Sequence, residues 1–219
     1  MSETGTRVAL LTPHRVEEAQ AEGLAAAIKA ACTVVDAAAL VVRVAPADER
    51  SLVNLIKRLA PPAQAGGAAV LVACPNYPGD LVSVAARGGA DGVHVDKADL
   101  SGLRDLRGRL RDGRILGAGG HDTKHAAMEA GEAGVDYVMF GGLYPDGAAP
   151  DPDLVQARAA WWAEIFETPC IAVASARDQV EALLATGAEF LGLESDLWMG
   201  GDADLAAIRA RLSAPRTVA

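Results

Sequence analysis

Short apolar runs rich in β-branched residues alternate along the chain with longer segments in which apolar residues recur at helical spacing. The short runs predict eight strands, at residues 8–11, 40–44, 70–74, 93–95, 115–117, 137–140, 171–173 and 190–193. The longer segments predict eight helices, at residues 17–31, 51–59, 80–87, 100–110, 123–133, 152–166, 177–185 and 203–212. Strict alternation of this kind is typical of parallel strands joined by right-handed crossovers. The pattern therefore predicts an α/β fold built on a parallel sheet.

One helix-to-strand turn motif occurs three times in the sequence. A glycine, an acidic turn residue and a strand follow one another at residues 89–95, 134–140 and 187–193, which fall on every second predicted strand. The interior layers of a closed eight-stranded barrel also come from alternate strands. An open doubly wound sheet would give the same alternation. Strand number and repetition favour a TIM (β/α)8 barrel, and we expect residues 1–219 to form a single domain.

Charge and composition narrow the choice of partner. Lys and Arg total 20 against 29 Asp and Glu, so the net charge is −9. This balance disfavours a nucleic acid or an anionic membrane as partner, because binding phosphates requires clustered basic residues. No apolar run approaches the roughly 18 residues of a membrane helix. Three widely spaced cysteines are typical of buried thiols, so we expect a cytoplasmic protein with a small-molecule ligand.

The turns that follow the strands are where a barrel of this kind carries chemistry. After the fifth predicted strand, Gly119 and Gly120 allow close backbone approach, and His121 suits general acid–base catalysis. After the fourth, Asp96 and Asp99 are candidates either for binding Mg²⁺ or for capping a helix. A metal-dependent hydrolase is an alternative hypothesis, with the cluster His94, Asp96, Asp99, His121 and His125 as ligands. Solvent exposure is the competing interpretation of His125.

The last three turns offer less chemistry. The long turn 141–151 is rich in glycine and proline, which is typical of a lid. Ser175 and Ser195 follow the seventh and eighth strands, where barrel enzymes commonly bind phosphate. However, the first of these turns lacks a glycine, and Glu194 and Asp196 flank the second serine. Negative charge there disfavours a phosphate.

Several landmarks together resemble the thiamine phosphate synthase/thiazole tautomerase family. They are residues 89–95, 99–100, 116–117, His121, 136–138, 140–141, Pro145, 169–173, 187–189 and Ser195, so the resemblance covers about residues 37–212. It implies a TIM barrel of thiamine biosynthesis, a phosphorylated heterocycle as ligand, and a homodimer. The synthase joins a pyrimidine pyrophosphate to a thiazole phosphate with Mg²⁺, and the tautomerase isomerises a thiazole precursor with a histidine after strand 5. By this resemblance His121 is catalytic, Asp99 binds Mg²⁺, and the substrate-binding positions are Gly119, Gly141, Ser175 and Ser195.

The positions that do the family's chemistry are largely replaced. The family's second strand carries Gln-x-Arg-x-Lys, which grips pyrophosphate, and in this chain those positions are Val42, Val44 and Pro46. Arg43 is expected on the opposite face of that strand. The Asn-Asp pair after strand 3, the Thr-x-Thr-Lys after Pro145 and the Gly-Gly cradle after strand 7 are absent as well.

These replacements predict that synthase activity is weak or absent, since losing one preorganised donor typically costs about 2.7–4 kcal/mol of barrier. The sequence leaves three functions open. The first is an enzyme of thiamine or thiazole metabolism with His121 as acid or base. The second is a non-catalytic ligand-binding or regulatory barrel, and the third is the metal-dependent hydrolase.

Overall fold

The computed structural model describes residues 5–111, 113–144, 147–200 and 202–212, so Pro145 and Asp146 of the predicted lid lie outside it. Eight parallel strands form a closed barrel in chain order, and β1 pairs with β8 to close it. The strands are β1 Arg7–Leu11, β2 Ala37–Arg43, β3 Ala69–Ala73, β4 Gly92–Asp96, β5 Ile115–Gly119, β6 Tyr137–Phe140, β7 Cys170–Ala174 and β8 Phe190–Leu193. The predicted TIM (β/α)8 barrel is confirmed.

Helices surround the barrel. They are α1 Ala21–Val34, α2 Glu49–Gln64, α3 Leu81–Gly88, α4 Leu100–Arg109, α5 Lys124–Glu132, α6 Pro152–Ile165, α7 Val180–Leu184, α8 Ser195–Met199 and α9 Asp202–Leu212. Short 3-10 turns, Glu18–Gln20 and Arg177–Gln179, precede α1 and α7. None of the helices in the described ranges is both long and apolar enough to cross a membrane.

Two helices depart from the predicted pattern. The sequence predicts that α2 ends at residue 59, but it continues through Pro61 and Pro62, because the buried Ala60 and Ala63 keep the last turn packed. The predicted turn 194–201 contains helix α8. This helix is anchored by Trp198, whose side chain is buried and whose Nε1 donates to the carbonyl of Leu11 at 2.9 Å.

Strand residues alternate between two apolar layers. Outward-facing residues such as Val42 and Val44 pack against the helices. Inward-facing residues fill the barrel, and they are Ala9, Leu11, Val41, Leu71, Ala73, Tyr137, Met139, Ile171 and Val173. Both faces of the strands are therefore apolar, as is usual for a parallel sheet covered by helices. Toward the carboxyl ends of the strands the interior becomes polar, with Thr12, Arg43, His94 and Glu194 all buried.

Candidate functional site at the mouth of the barrel

A cavity of about 510 Å³ opens at the carboxyl ends of the strands. Its walls come mainly from β2 to β6 and the turns that follow them. They include His14, Arg43, Cys74, His94, Asp96, Lys97, Arg109, Met139 and the segment 141–144. A cleft of about 60 Å³ shares Gly120, Met139 and Gly141 with this cavity and extends to His121 and Arg158. The two spaces together form the candidate ligand site, at the end of the barrel where ligands bind in this fold.

A second groove, of about 600 Å³, lies at the opposite end of the barrel beside Gln64, Asp91 and Arg114. Its polar groups already have protein partners. The Asp91 carboxylate accepts from the amide of Val70 at 2.7 Å and from the Gln64 side chain at 3.0 Å, and Arg114 donates to the carbonyl of Ala90. These bonds join neighbouring corners of the barrel, so we interpret this groove as structural.

Arg43 is the most buried cation of the mouth. One of its Nη atoms donates to Oε1 of Glu194 at 2.9 Å and the other to Oε2 at 2.5 Å, and the side chains are only 8% and 1% exposed. Arg43 lies on the opposite face of β2 from Val42 and Val44, as the sequence predicts. That face is the inner one, however, so the assignment of Val42 and Val44 to the family's ligand-facing positions is wrong. Val42 and Val44 take the outward positions of β2, so Val41 and Arg43 point into the barrel.

Three further contacts fix this ion pair. The Arg43 Nε donates to the carbonyl of Thr12 at 2.7 Å, and the amide of Leu143 donates to Oε1 of Glu194 at 2.7 Å. Arg43 Nη1 also lies 3.0 Å from Nε2 of His14. A guanidinium can only donate, so His14 accepts through an unprotonated Nε2. Burial lowers the pKa of His14, and the charge of Arg43 lowers it further.

The expectation that negative charge at the end of β8 repels a phosphate needs one correction. Glu194 does bring a negative charge there, but Arg43 neutralises it inside the barrel. The charge is not available to repel a ligand at long range. What it does instead is occupy the donors of the guanidinium.

A second polar group spans β4, β5 and β6. Nδ1 of His94 lies 2.8 Å from the hydroxyl of Tyr137, and its Nε2 lies 3.3 Å from Oδ1 of Asp96. With Asp96 ionised, Nε2 carries the proton and the Tyr137 hydroxyl donates to Nδ1. Burial alone would raise the pKa of Asp96, but the hydrogen bond from His94, together with the charge of Arg43, outweighs it and the pKa is lowered.

Glycines on β5 make room for this second polar group. A Cβ at Gly117 would come within 2.0 Å of the Tyr137 ring, and one at Gly119 within 2.7 Å of Oδ1 of Asp96. Any larger residue at either position would collide with a side chain of the group. Gly119, predicted as a ligand-binding position, therefore supports His94 and Asp96 by leaving them space.

His121 lies at the bottom of the narrow cleft. It is 7% exposed, and no hydrogen-bond partner among the described residues reaches its Nε2. The position of its backbone is fixed by Arg158, which donates to the His121 carbonyl at 2.8 Å. Burial lowers the pKa of His121, His94 lowers it further, and Asp96 opposes the shift. A buried, neutral imidazole with a free nitrogen is a suitable proton acceptor.

The described side chains do not form the predicted metal cluster. No group of three or more His, Cys, Asp or Glu residues in the described ranges is placed to hold a metal ion. His125 is 78% exposed and lies 3.6 Å from Glu129, in agreement with the solvent-exposed interpretation. Asp99 is the N-cap of α4, where it accepts from the amide of Gly102 at 2.7 Å. The described residues therefore give no support to a metal-dependent hydrolase on these five residues.

Of the remaining predicted ligand-binding positions, Gly141 lines the candidate site, whereas Ser175 and Ser195 contact other residues of the protein. Gly141 lines both the cavity and the cleft, with a φ of +91° that favours glycine. Ser175 bonds Gln179 instead, since its amide and hydroxyl lie 2.9 and 3.2 Å from the Gln179 side-chain oxygen. Ser195 is buried, with its hydroxyl 3.5 Å from Asp196. Of the four positions, Gly141 lines the cleft together with His121, and Gly119 lies two positions before His121 in the chain.

Sequence comparison assigns this barrel to a family. The family described as thiamine monophosphate synthase matches residues 8–197. The chain belongs to the thiamine monophosphate synthase family. A thiamine-phosphate synthase of Rhodospirillum centenum is 34% identical over 202 residues, which span 89% of this chain and 90% of that protein. One of Erythrobacter litoralis is 37% identical over 149 residues, or 66% of this chain and 68% of that protein.

A solved structure shares the fold of this family member. A thiamine phosphate pyrophosphorylase from Pyrococcus furiosus superposes with a TM-score of 0.72 at 20% identity, over 96% of this chain and 98% of that one. Members of the family bind small phosphorylated substrates, and the family in general depends on Mg²⁺. The homodimer implied by the resemblance stays a prediction.

Magnesium does not fit the acidic residues that this family member places near the mouth. The cation usually takes one or two free carboxylates together with substrate phosphates. Among the described residues, four carboxylates near the mouth already have a protein partner. Those pairs are Asp80 with Arg109 at 2.5 Å, Asp96 with His94 at 3.3 Å, Asp99 with the amide of Gly102 at 2.7 Å, and Glu194 with Arg43 at 2.5 Å. We derive no chemical step through Mg²⁺, and the role of Asp99 as its ligand stays a prediction.

Most residues of the site are recognisable in the sequence, but their hydrogen-bond and ion-pair partners are not. Glu194 is recognisable as a charge at the end of β8, but its partner Arg43 lies 151 positions away. Tyr137 is predicted only as part of a strand. A tyrosine that faces the barrel interior needs a hydrogen-bond partner for its hydroxyl, and this is the signal that could have pointed to His94. Gln179 carries no signal, because a glutamine in a helix start is common.

Two histidines with lowered pKa values, His14 and His121, predict how stability depends on pH. His14 and His121 have pKa values below the usual 6.5 in the folded protein, so the unfolded chain binds more protons as the pH falls through that range. The free energy of unfolding should therefore be highest above 6.5 and decrease on acidification, by up to about 1.4 kcal/mol per pH unit for each group. Urea unfolding between about pH 7.5 and pH 5.5 should show a shallower decrease for H121Q than for the wild type. Identical slopes would contradict the buried, neutral state of His121.

Proposed function

We propose that this chain is a diverged member of its family that isomerises a small phosphorylated heterocycle by proton transfer at His121, and that its thiamine phosphate synthase activity is weak or absent. The observation that carries the proposal is the buried Nε2 of His121, which no described residue bonds. His121 lines a cleft that shares Gly120, Met139 and Gly141 with the mouth cavity. A cavity of about 510 Å³ is large enough for a phosphorylated ring, and the cleft of about 60 Å³ suits only its reacting edge.

Weak synthase activity is supported by the way the chain uses its anion-binding groups. Pyrophosphate release requires donors that stabilise about three negative charges on the leaving group. The guanidinium of Arg43 is already bonded to Glu194, and the amides of Ser175 and Ala176 point to the side-chain oxygen of Gln179, at 2.9 and 3.4 Å. Donors that could hold phosphate groups in a synthase are bonded within the protein in this chain.

Proton transfer is supported by the electrostatics around His121. The neutral imidazole can accept a proton from a carbon beside the ring nitrogen of the ligand. Asp96 favours the positive charge that His121 then gains. Returning the proton to another atom of the ring completes an isomerisation, with no leaving group and no change of oxidation state. Lys97 lines the cavity with a side chain that is 62% exposed, which suits contact with the ligand's phosphate at the rim.

The first test is a synthase assay with the pyrimidine pyrophosphate, the thiazole phosphate and Mg²⁺. We expect turnover at least about 100-fold below the roughly 1 s⁻¹ at the low end of ordinary enzymes, because loss of one oxyanion donor already costs that factor. The Rhodospirillum centenum relative, assayed in parallel, controls for the substrates. Turnover near that of the relative would contradict the proposal.

The second test is the variant H121N with the phosphorylated thiazole precursor as substrate. Isomerisation and deuterium incorporation from D₂O, both followed by NMR, should fall by at least about 100-fold, the lower limit for a lost general acid–base group. Affinity for the thiazole phosphate should change little, because the asparagine preserves the polar character of the side chain.

His125 supplies the matched control. It is exposed on α5, only four positions from His121, and H125N should keep wild-type turnover. Binding of the thiazole phosphate by the wild type without any isomerisation would favour the non-catalytic ligand-binding barrel. An H121N variant as fast as H125N would remove His121 from the chemistry.

A further inference from the structure

We propose that Glu194 is a built-in substitute for an anionic ligand: its carboxylate fills an anion-binding site made by the Arg43 guanidinium and the Leu143 amide, and so excludes charged phosphate from the depth of the cavity. The inference deepens the proposed function and rests on it in one respect, since it assumes that the mouth cavity is the ligand site. It names the residue that determines which part of a ligand this site accepts.

The geometry around Glu194 is that of a bound oxyanion. Oε1 accepts from Arg43 Nη1 at 2.9 Å and from the Leu143 amide at 2.7 Å, while Oε2 accepts from Arg43 Nη2 at 2.5 Å. Two parallel guanidinium bonds and one backbone amide are the donors that proteins commonly offer to carboxylates and phosphates. The carboxylate therefore has its hydrogen bonds satisfied in a position that is 1% exposed.

The donors are held in place by groups other than Glu194. The carbonyl of Thr12 accepts from Nε of Arg43 at 2.7 Å, and His14 Nε2 accepts from Nη1 at 3.0 Å. The Leu143 amide follows Gly141 and Gly142, whose φ angles of +91° and +88° turn the chain over the barrel. A Cβ at Gly141 would come within 2.9 Å of the carbonyl of Val173, so a larger residue would push this loop away. The anion site should thus persist when the carboxylate is removed.

The site adjoins the space where a ligand would bind. Arg43, Gly142 and Leu143 line the mouth cavity, and the Glu194 carboxylate is bonded to the guanidinium of the first and the amide of the last. Truncating Glu194 would leave these donors unpaired beside the cavity. In the wild type, an entering phosphate must displace a carboxylate that the fold holds in place, and would leave it buried and without a partner, which is strongly unfavourable. A neutral part of a ligand can enter the cavity without displacing the Glu194 carboxylate.

The test is binding of inorganic pyrophosphate, without added metal, to the variants E194A and D196N by isothermal titration calorimetry. Asp196 lies two positions away and is exposed, so D196N removes the same charge outside the site. E194A should bind pyrophosphate at least about tenfold more tightly than the wild type, the factor that corresponds to 1.4 kcal/mol. D196N should bind it like the wild type, and the double variant R43Q/E194A should lose the gain.

Stability gives a second measurement if E194A folds poorly. Pyrophosphate should raise the melting temperature of E194A, or restore its refolding from urea, while leaving D196N unaffected, because the anion replaces the missing carboxylate. Equal pyrophosphate affinity of E194A and D196N, or an E194A variant that the anion neither stabilises nor helps to refold, would overturn the proposal. Both readouts are independent of His121, so a failure of the proposed isomerisation would be seen separately in the H121N assay.

Discussion

The buried contact between Arg43 and Glu194 is the interaction on which the proposed binding properties of this barrel depend. It joins β2 to the end of β8, and through the Leu143 amide it also holds the loop that follows β6. Removing one partner of such a pair typically costs about 3–5 kcal/mol, because the other charge stays buried without compensation. The Arg43 guanidinium therefore stabilises the folded barrel and has its donors bonded to Glu194. The chemistry left to the site has to come from elsewhere in the cavity.

The proton transfer that we propose lies across the cavity, on β4 to β6. His94 is held between the Tyr137 hydroxyl and the Asp96 carboxylate, and His121 lies beyond it with one nitrogen free. Gly117 and Gly119 make this arrangement sterically possible. The family's scaffold is thus retained, with one half of the mouth closed by internal ionic bonding and the other half open to a ligand. Proton transfer needs only the open half, whereas pyrophosphate release would need both.

The barrel could be predicted from the sequence because strand and helix alternate strictly and have different hydrophobic periods. The sequence also places Arg43 opposite Val42 and Val44, but which of these two faces looks into the barrel could not be predicted. In β2 both faces are apolar, since one contacts the helices and the other fills the barrel, so the alternation that fixes the face of a half-exposed strand is missing. The partners of Glu194 and Gln179 were equally inaccessible, because they are set by closure of the barrel and by a local turn. His121 and Gly141 could be predicted, since glycine-rich turns after a strand are visible in the sequence.

The neutralisation of Arg43 by Glu194 is tested most directly by a double-mutant cycle with R43M, E194L and the double variant, measured by urea unfolding. Each single variant should lose about 3–5 kcal/mol of unfolding free energy, and the double variant should lose less than either. That result would show two charges that are tolerated inside the barrel only together. A double variant whose loss equals the sum of the two single losses, to within about 0.5 kcal/mol, would mean that the charges act independently. Arg43 would then be free to bind a ligand's phosphate, which contradicts its neutralisation by Glu194.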